Sequence, residues 1–325
     1  ELVARALATG ERIVEIQPHE RGEGFERMQA GSFAERTRAF VKIEDGCERY
    51  CAYCIIPTAR GPVRSKPPED LRDELQTLAA AGYREAVLVG INLSSYGKEL
   101  GLRLIDAVET AAAVDGIERV RLGSLEPELL TGEDISRMAA LPKVCPQFHL
   151  SLQSGCDATL CRMTRHYDPA EYARIAADLR RHFANCAITT DIMVGFPGET
   201  DVEFEESLAF AEEVGFAKAH VFAYSRRPGT RAADMPGQIP KAVKEERSRQ
   251  MIALTSRTRA AFLQGQIGQV VSVLFESRTP DGMYEGYAEN YTPVRVGGPD
   301  NLCGQIRRVR IEAALDGWCL GALCG

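Results

Sequence analysis

The stretch Phe40-Val41-Lys42-Ile43-Glu44-Asp45-Gly46-Cys47-Glu48-Arg49-Tyr50-Cys51-Ala52-Tyr53-Cys54 runs an apolar, strand-length segment straight into three cysteines spaced C-x3-C-x2-C. Three thiolates converging from one loop can hold three irons of a [4Fe–4S] cubane and leave the remaining iron open to chemistry. Zinc is the competing reading, but a zinc site wants four ligands, and the nearest other candidates, His19 and Cys145, are far away in sequence. A disulfide pair would strand one thiol. Cysteines this dense, flanked by charges, also do not follow a core pattern.

Outward from that stretch, apolar runs of strand length alternate with helix-length segments. Strands are expected near 40–44, 86–90, 118–123, 147–152, 187–194 and 218–223, and helices near 68–82, 102–114, 131–140, 168–183, 200–214 and 240–264. Asp168-Pro169 and Thr200 with Glu203 mark two of the helix starts. Six strand–helix units in succession imply a parallel sheet. Six rather than eight predict an α/β fold of the open (β/α)6 partial-barrel kind, with function at the carboxyl ends of the strands, where the cysteines fall. From about Ile267 the texture changes to short β-like runs at 270–275, 286–296 and 304–313, which predict a small β-barrel. The expected division is a connector over 1–38, the partial barrel over 39–265 and the terminal barrel over 266–325.

The 325 residues suit about two domains. No run of about 18 apolar residues is present, so no membrane span is expected. The amino terminus, Glu1-Leu2-Val3-Ala4-Arg5, carries neither an initiator Met nor a signal peptide and reads as the inside of a longer chain. Ten cysteines without such a signal fit a reducing cytoplasm. The net charge of −7 argues against wholesale nucleic-acid binding, yet nine basic residues face three acids between Arg226 and Arg259. Arg226, Arg227, Arg231, Lys241 and Lys244 in that band, with Arg307 and Arg308 further on, are candidate RNA contacts, against the plainer reading of a solvated helix.

The predicted strand ends carry polar or glycine-rich residues: Gly90 and Asn92, Ser124 and Glu126, Ser151 and Gln153, Asp191, then Gly195-Phe196-Pro197, then Tyr224. Each alone could simply turn the chain. Together they ring one mouth. Glycine lets backbone groups approach a ligand, the amides of Asn92 and Gln153 both donate and accept, and Glu126 and Asp191 can accept from a ribose hydroxyl or an ammonium.

The cysteine run, with Tyr53 before the third cysteine, resembles the radical S-adenosylmethionine (SAM) superfamily. Glu44-Asp45-Gly46-Cys47, Cys54-Ile55-Ile56-Pro57, Arg60-Gly61, Gln153-Ser154-Gly155, Met163-x-Arg165-x-Tyr167, Gly195-Phe196-Pro197-Gly198-Glu199-Thr200 and Tyr224-Ser225-x-Arg227-x-Gly229-Thr230 resemble its methylthiotransferases. Within these, Ala59-Arg60-Gly61 and Tyr287-Ala288-Glu289-Asn290-Tyr291 look most like the enzymes acting on threonylcarbamoyladenosine in tRNA (MtaB type), while the branches acting on isopentenyladenosine or a ribosomal protein match less well.

The resemblance implies that Cys47, Cys51 and Cys54 hold a [4Fe–4S] cluster whose open iron binds SAM, with Tyr53 and the strand-end residues around it. Reductive SAM cleavage would yield a 5′-deoxyadenosyl radical that acts at carbon 2 of the modified adenosine beside the anticodon, where a methylthio group is installed. It further implies a TRAM-like terminal barrel that binds tRNA, and a reductant protein such as flavodoxin or ferredoxin.

Family members also carry an upstream domain with a second, sulfur-handling [4Fe–4S] cluster, whereas residues 1–38 contain no cysteine. The chain is therefore expected to be a fragment. The alternatives are a SAM-cleaving protein without sulfur transfer and an RNA-binding remnant. Cys145, Cys156, Cys161, Cys186, Cys303, Cys319 and Cys324 match no cluster spacing and are read as buried structural residues. His149, His166 and His220 are read as isolated packing or surface residues.

Overall fold

The computed structural model describes residues 2–14, 19–26, 37–298 and 301–324. Alternate apolar residues turn each strand into one wall of a core. Ala39 and Val41 of β1 (Ala39–Lys42), Ala86 and Leu88 of β2 (Glu85–Val89), Val120 and Leu122 of β3 (Arg119–Leu122), Phe148 and Leu150 of β4 (Gln147–Leu150) and Ile188 and Ile192 of β5 (Ala187–Val194) join one buried cluster. β6 (Lys218–Ala223) packs Ala219 and Val221 against it. Helices Pro68–Ala80, Leu104–Ala112, Gly132–Ala139, Pro169–His182, Asp201–Val214 and Lys241–Gln264 lie on this side and contribute Leu75, Val108, Ile135, Tyr172, Phe210 and Met251. The Thr200 start behaves as its spacing predicts: its hydroxyl accepts from Glu203 N at 3.3 Å, and the Glu203 carboxylate accepts from Thr200 N at 2.8 Å.

All ladders between these strands are parallel. The ladder β1-β2-β3 and the ladder of Ser124–Leu125 with β4, β5 and β6 are joined through one segment of chain. Gly123 makes the handover: its N–H still donates to Leu88 O of β2 at 2.9 Å, while the next residue, Ser124, pairs with His149 of β4. The result is a six-strand half-barrel, open between β1 and β6, as the alternation predicted.

The terminal segment closes a barrel of β7 (Val270–Arg278), β8 (Tyr284–Ala288), β9 (Pro293–Val296), β10 (Ile306–Ala314) and β11 (Cys319–Leu323), in the order β7-β8-β9-β11-β10. Sequence reading missed β11, which closes the barrel by pairing parallel with β9 and antiparallel with β10. Glycine at its centre hides the strand pattern, but Gly321 is needed there, because a Cβ would stand 2.4 Å from Val309 Cγ1.

A buried ionic seam fixes the barrel beneath the amino ends of the strands. Arg121 Nε donates to Glu85 Oε1 at 2.7 Å, and Arg119 pairs with the other oxygen at 3.3 Å. Arg119 also donates to Ser272 O at 2.6 Å, and Arg121 to Glu289 O at 2.9 Å. Burial pushes the Glu85 carboxyl up, but the two guanidiniums outweigh it and hold Glu85 below the usual carboxylate range. Arg38 adds an ion pair to Glu276 at 2.6 Å and lies against the faces of Tyr287 and Tyr291.

The connector expected over 1–38 lies partly outside the described residues. Within them, helix Leu2–Thr9 buries none of its residues, and Arg21 meets Glu48 at 3.2 Å. Four cysteine readings are corrected, since Cys186 and Cys324 are only partly buried and two others are exposed. Cys161, on the outer side of helix Asp157–Met163, and Cys303, in the turn before β10, are exposed, whereas Cys145, Cys156 and Cys319 are buried. No helix among the described residues is long and apolar enough to cross a membrane.

Candidate functional site

The cysteine loop leaves the carboxyl end of β1 through Gly46, whose φ of +89° and close approach to Pro62 O admit no side chain; a Cβ would stand 2.0 Å from that oxygen. The loop is tied down from three places. Cys47 N donates to Gly61 O at 3.0 Å, Ala52 N to Met163 O at 2.9 Å, and Ala52 O accepts from Ala232 N at 2.8 Å. Beneath it Ala52, Met163, Phe196, Tyr224 and Ala232 form a small core of their own. Phe196 meets the Tyr53 ring edge-on at 6.4 Å and the Tyr224 ring at 5.5 Å.

Cys51 is buried, and Cys47 and Cys54 are partly exposed. Burial pushes the Cys47 thiol up to about 11, and the charges of Cys51 and Cys54 push it the same way. Burial likewise raises Cys54. Thiols in this condition become thiolates when a metal takes the place of the proton, so the loop fits an iron-bound state. Among the described residues no group of three His, Cys, Asp or Glu is arranged to hold a single metal ion. A cubane does not require that, since each thiolate takes its own iron.

The groups around the thiols are polar and aimed. Asn92 Nδ2 stands 3.8 Å from Cys47 Sγ, while the buried Asn92 Oδ1 has no protein partner. Arg165 is buried. It donates from Nη1 to Cys51 Sγ at 3.3 Å and to the Tyr53 hydroxyl at 3.4 Å, and its Nη2 pairs with the Glu126 carboxylate. Ser94 Oγ accepts from Glu126 N at 2.8 Å, joining the loops after β2 and β3. Gln153 adopts φ +65° and bridges to β5: its N–H donates to Asp191 O, and its carbonyl accepts from Met193 N, both at 2.8 Å.

The structure sorts the residues expected around the mouth. Asn92 and Glu126 stand with the thiols, and Gln153 and Asp191 stand together across the half-barrel. Ser124 is exposed beside β4, and the Ser151 carbonyl accepts from Tyr167 Oη at 2.6 Å. Gly90, Gly195, Phe196, Pro197 and Tyr224 have packing partners or are buried. A Cβ at Gly90 would meet Glu44, one at Gly195 would stand 2.2 Å from Lys244 Cγ, and the others back the cysteine loop or are buried beside it.

Of the basic residues, Arg226, Arg227, Lys241, Arg307 and Arg308 are exposed. Arg231 is exposed but bound to Tyr50 O at 3.3 Å, and Lys244 Nζ donates inward to Tyr224 O at 2.8 Å.

Two features escaped the sequence. Arg165 was visible only as a letter in a motif, and nothing local shows that its guanidinium reaches Cys51. His149 and His220 are far apart in sequence, yet their rings lie 6.2 Å apart on the inner wall across β5, and His149 Nε2 stands 3.4 Å from Asp191 Oδ2. Period-two placement on β4 to β6 was the available signal.

An open parallel half-barrel with a three-thiol loop at its carboxyl mouth defines the class, and the Radical SAM superfamily profile matches residues 41–211. The chain belongs to the radical SAM superfamily. It is similar to the threonylcarbamoyladenosine tRNA methylthiotransferase MtaB of Thermotoga maritima, with 38% identity over 284 residues, covering 87% of this chain and 65% of that protein. It is likewise similar to the tRNA-2-methylthio-N(6)-dimethylallyladenosine synthase of Caldicellulosiruptor saccharolyticus, with 36% identity over 326 residues, 99% of this chain and 68% of that protein. MtaB of Bacillus subtilis is 36% identical over 298 residues, 89% of this chain and 66% of that protein. The chain thus spans about two thirds of the length of these relatives.

Two solved structures share the fold. One is the radical S-adenosylmethionine methyltransferase TsrM of Kitasatospora setae, with TM-score 0.52 at 15% identity over 60% of this chain and 38% of that one. The other is coproporphyrinogen III oxidase (HemN) of Escherichia coli, with TM-score 0.50 at 13% identity over 86% of this chain and 68% of that one.

Proposed function

We propose that this chain is the SAM-cleaving and RNA-contacting part of a cytoplasmic tRNA methylthiotransferase that modifies carbon 2 of N6-threonylcarbamoyladenosine beside the anticodon. The observation that carries it is the 38% identity, over 87% of the chain, to a relative so named. Residues 39–265 would form the catalytic unit and 266–325 the RNA-contacting barrel. Cys47, Cys51 and Cys54 would hold a [4Fe–4S] cluster, which when bound supplies the electron for SAM cleavage. Arg165 holds its charge against Cys51 and locks Glu126, so that Glu126 and Asn92 present a fixed polar edge beside the thiols. Gln153, in the loop after β4, and Asp191 of β5 stand across from that edge and are placed to accept from sugar hydroxyls. The half-barrel walls keep water from the reacting atoms.

Sulfur transfer calls for a second [4Fe–4S] cluster. Cys145, Cys156, Cys161 and Cys186 sit on separate turns and helix faces and are not its ligands in this reading. A flavodoxin or ferredoxin would serve as reductant.

The 36% identity over 99% of the chain to a dimethylallyladenosine enzyme favours a second substrate reading. Nucleoside mass spectrometry of tRNA from a deletion strain separates the two. Loss of the 2-methylthio group from threonylcarbamoyladenosine is expected. Loss from the dimethylallyl nucleoside instead moves the assignment to the second reading, and no change in either overturns both.

A further inference from the structure

The last strand of the half-barrel is an open edge, and its inner face has a composition the SAM site does not use. Alternate residues of a strand share a face at about 6.6 Å spacing, which places Lys218, His220 and Phe222 in one row. Lys218 is half-buried and, among the described residues, has neither a carboxylate nor a hydrogen-bond partner. It lines a cavity of about 140 Å³ between the half-barrel and the terminal barrel, together with Arg259, Thr189, Asn290 and the tyrosines Tyr287 and Tyr291. Burial and the charge of Arg259 both lower the Lys218 ammonium's pKa, the condition of two cations held together without an anion. Arg259 donates from Nη2 to Gly317 O at 2.7 Å, a neutral partner that leaves its charge unbalanced. Higher on the row the His220 and Phe222 rings lie nearly parallel, at 25° with centroids 6.5 Å apart, and Phe222 is 51% exposed. Burial, Lys218, His149 and Arg259 act on His220 in one direction and the Asp191 carboxylate in the other, among the described residues.

An isolated apolar ring on a half-open wall is ordinary. A ring pair standing above two uncompensated cations is what a nucleotide needs: a flat surface for an unstacked base and positive charge for its anion. We propose that the inner face of β6 is a nucleotide-binding strip, in which Lys218 and Arg259 take an anion of the RNA substrate while His220 and Phe222 stack an unpaired base. The anion is either a backbone phosphate or the carboxylate of the modified base. This strip deepens the proposed function and rests on its RNA-substrate reading.

The test is equilibrium binding of the chain to an anticodon stem-loop RNA with 2-aminopurine in the loop, prepared with and without N6-threonylcarbamoyladenosine. Lys218→Gln is expected to weaken binding about tenfold and to lower the salt slope by about one. An equal loss on both RNAs assigns a phosphate, and a loss only on the modified RNA assigns the carboxylate. Phe222→Ala is expected to weaken binding about tenfold and abolish 2-aminopurine quenching, with Phe222→Tyr restoring it. The exposed Arg174→Gln, on the outer helix, serves as the charge control and should bind as the parent does. Matched thermal melts exclude misfolding as the cause. Parent-like binding and quenching by Lys218→Gln and Phe222→Ala overturn the strip while leaving the RNA reading intact. Failure of the parent chain to bind either RNA overturns that reading, and the strip with it.

Discussion

Arg165 Nη1 stands 3.3 Å from Cys51 Sγ, and the same guanidinium pairs with Glu126 on the opposite side. One buried cation thereby joins the cysteine loop to the strand end expected to contact SAM. Hydrogen bonds to cluster sulfurs tune reduction potential, and a positive charge nearby favours the reduced state. Arg165→Met should therefore shift the potential of the reconstituted cluster to more negative values and slow 5′-deoxyadenosine release. Arg165→Lys should retain part of both. Removing the partner of Glu126 also destabilises the fold by roughly 3 kcal/mol. An unchanged potential in a folded, iron-loaded Arg165→Met protein would remove Arg165 from this role.

Cluster assembly depends on the entry to the loop as much as on its thiols. Gly46 combines φ +89° with backbone contact to Pro62, so Gly46→Ala must move either the loop or the 61–62 turn that binds Cys47 N. Anaerobic reconstitution of the parent should give about four irons per chain. Gly46→Ala should give fewer than half of these, and Cys51→Ala should release no 5′-deoxyadenosine. Full iron content in Gly46→Ala would show that the loop tolerates the displacement.

Glu44, three positions before Cys47, offers a pH test on a carboxylate rather than a thiol. It is fully buried, accepts from Asn92 N at 2.7 Å and leaves its other oxygen without a partner. Burial pushes its pKa up from 4.5 to about 8, with help from Asp45. The folded protein therefore keeps a proton that the unfolded chain loses. The resulting stabilisation is whole below pH 4.5, falls as pH rises and is gone above about 8. Glu44→Gln has no such dependence. Its urea midpoint should match the parent's near pH 5 and exceed it at pH 9, by on the order of a few kcal/mol in stability. A constant difference across that range would show that Glu44 is ionised in the fold.

The half-barrel was legible because its strands are short and apolar on alternate residues, and because helix starts such as Asp168-Pro169 and Thr200 are signalled between them, information carried within a few residues. Asn92 and Glu126 were legible for a related reason: strand-end position alone brings them to the mouth. What escaped was long-range. Arg165 lies 114 positions from Cys51, and Arg119 lies 153 from Ser272. No local pattern marks either partner. Lys244 was misleading in the opposite way, since its charge suggested solvent or RNA while Gly195 opens a channel that draws its side chain inward. Gly195 and Lys244 are matched in space, which neither reveals alone.

The seam supplies the remaining test. Glu85 balances both Arg119 and Arg121, so Glu85→Gln leaves two buried guanidiniums uncompensated and should destabilise the chain by roughly 3–5 kcal/mol at neutral pH. Because the folded pKa of Glu85 is depressed below its ordinary 4.5, its stabilisation is complete above that value and is lost as pH falls through the lower, folded one. The gap between parent and variant should therefore be constant above about pH 6 and shrink progressively under acid. Since Arg119 and Arg121 also hold the Ser272, Tyr287 and Glu289 carbonyls of the terminal barrel, proteolytic release of that barrel should track the same pH profile. Limited proteolysis at a series of pH values reads this directly. A barrel that stays attached in Glu85→Gln at neutral pH, with an unchanged urea midpoint, would place the strength of the seam in Arg38, its ion pair to Glu276 and its contacts with the Tyr287 and Tyr291 faces instead.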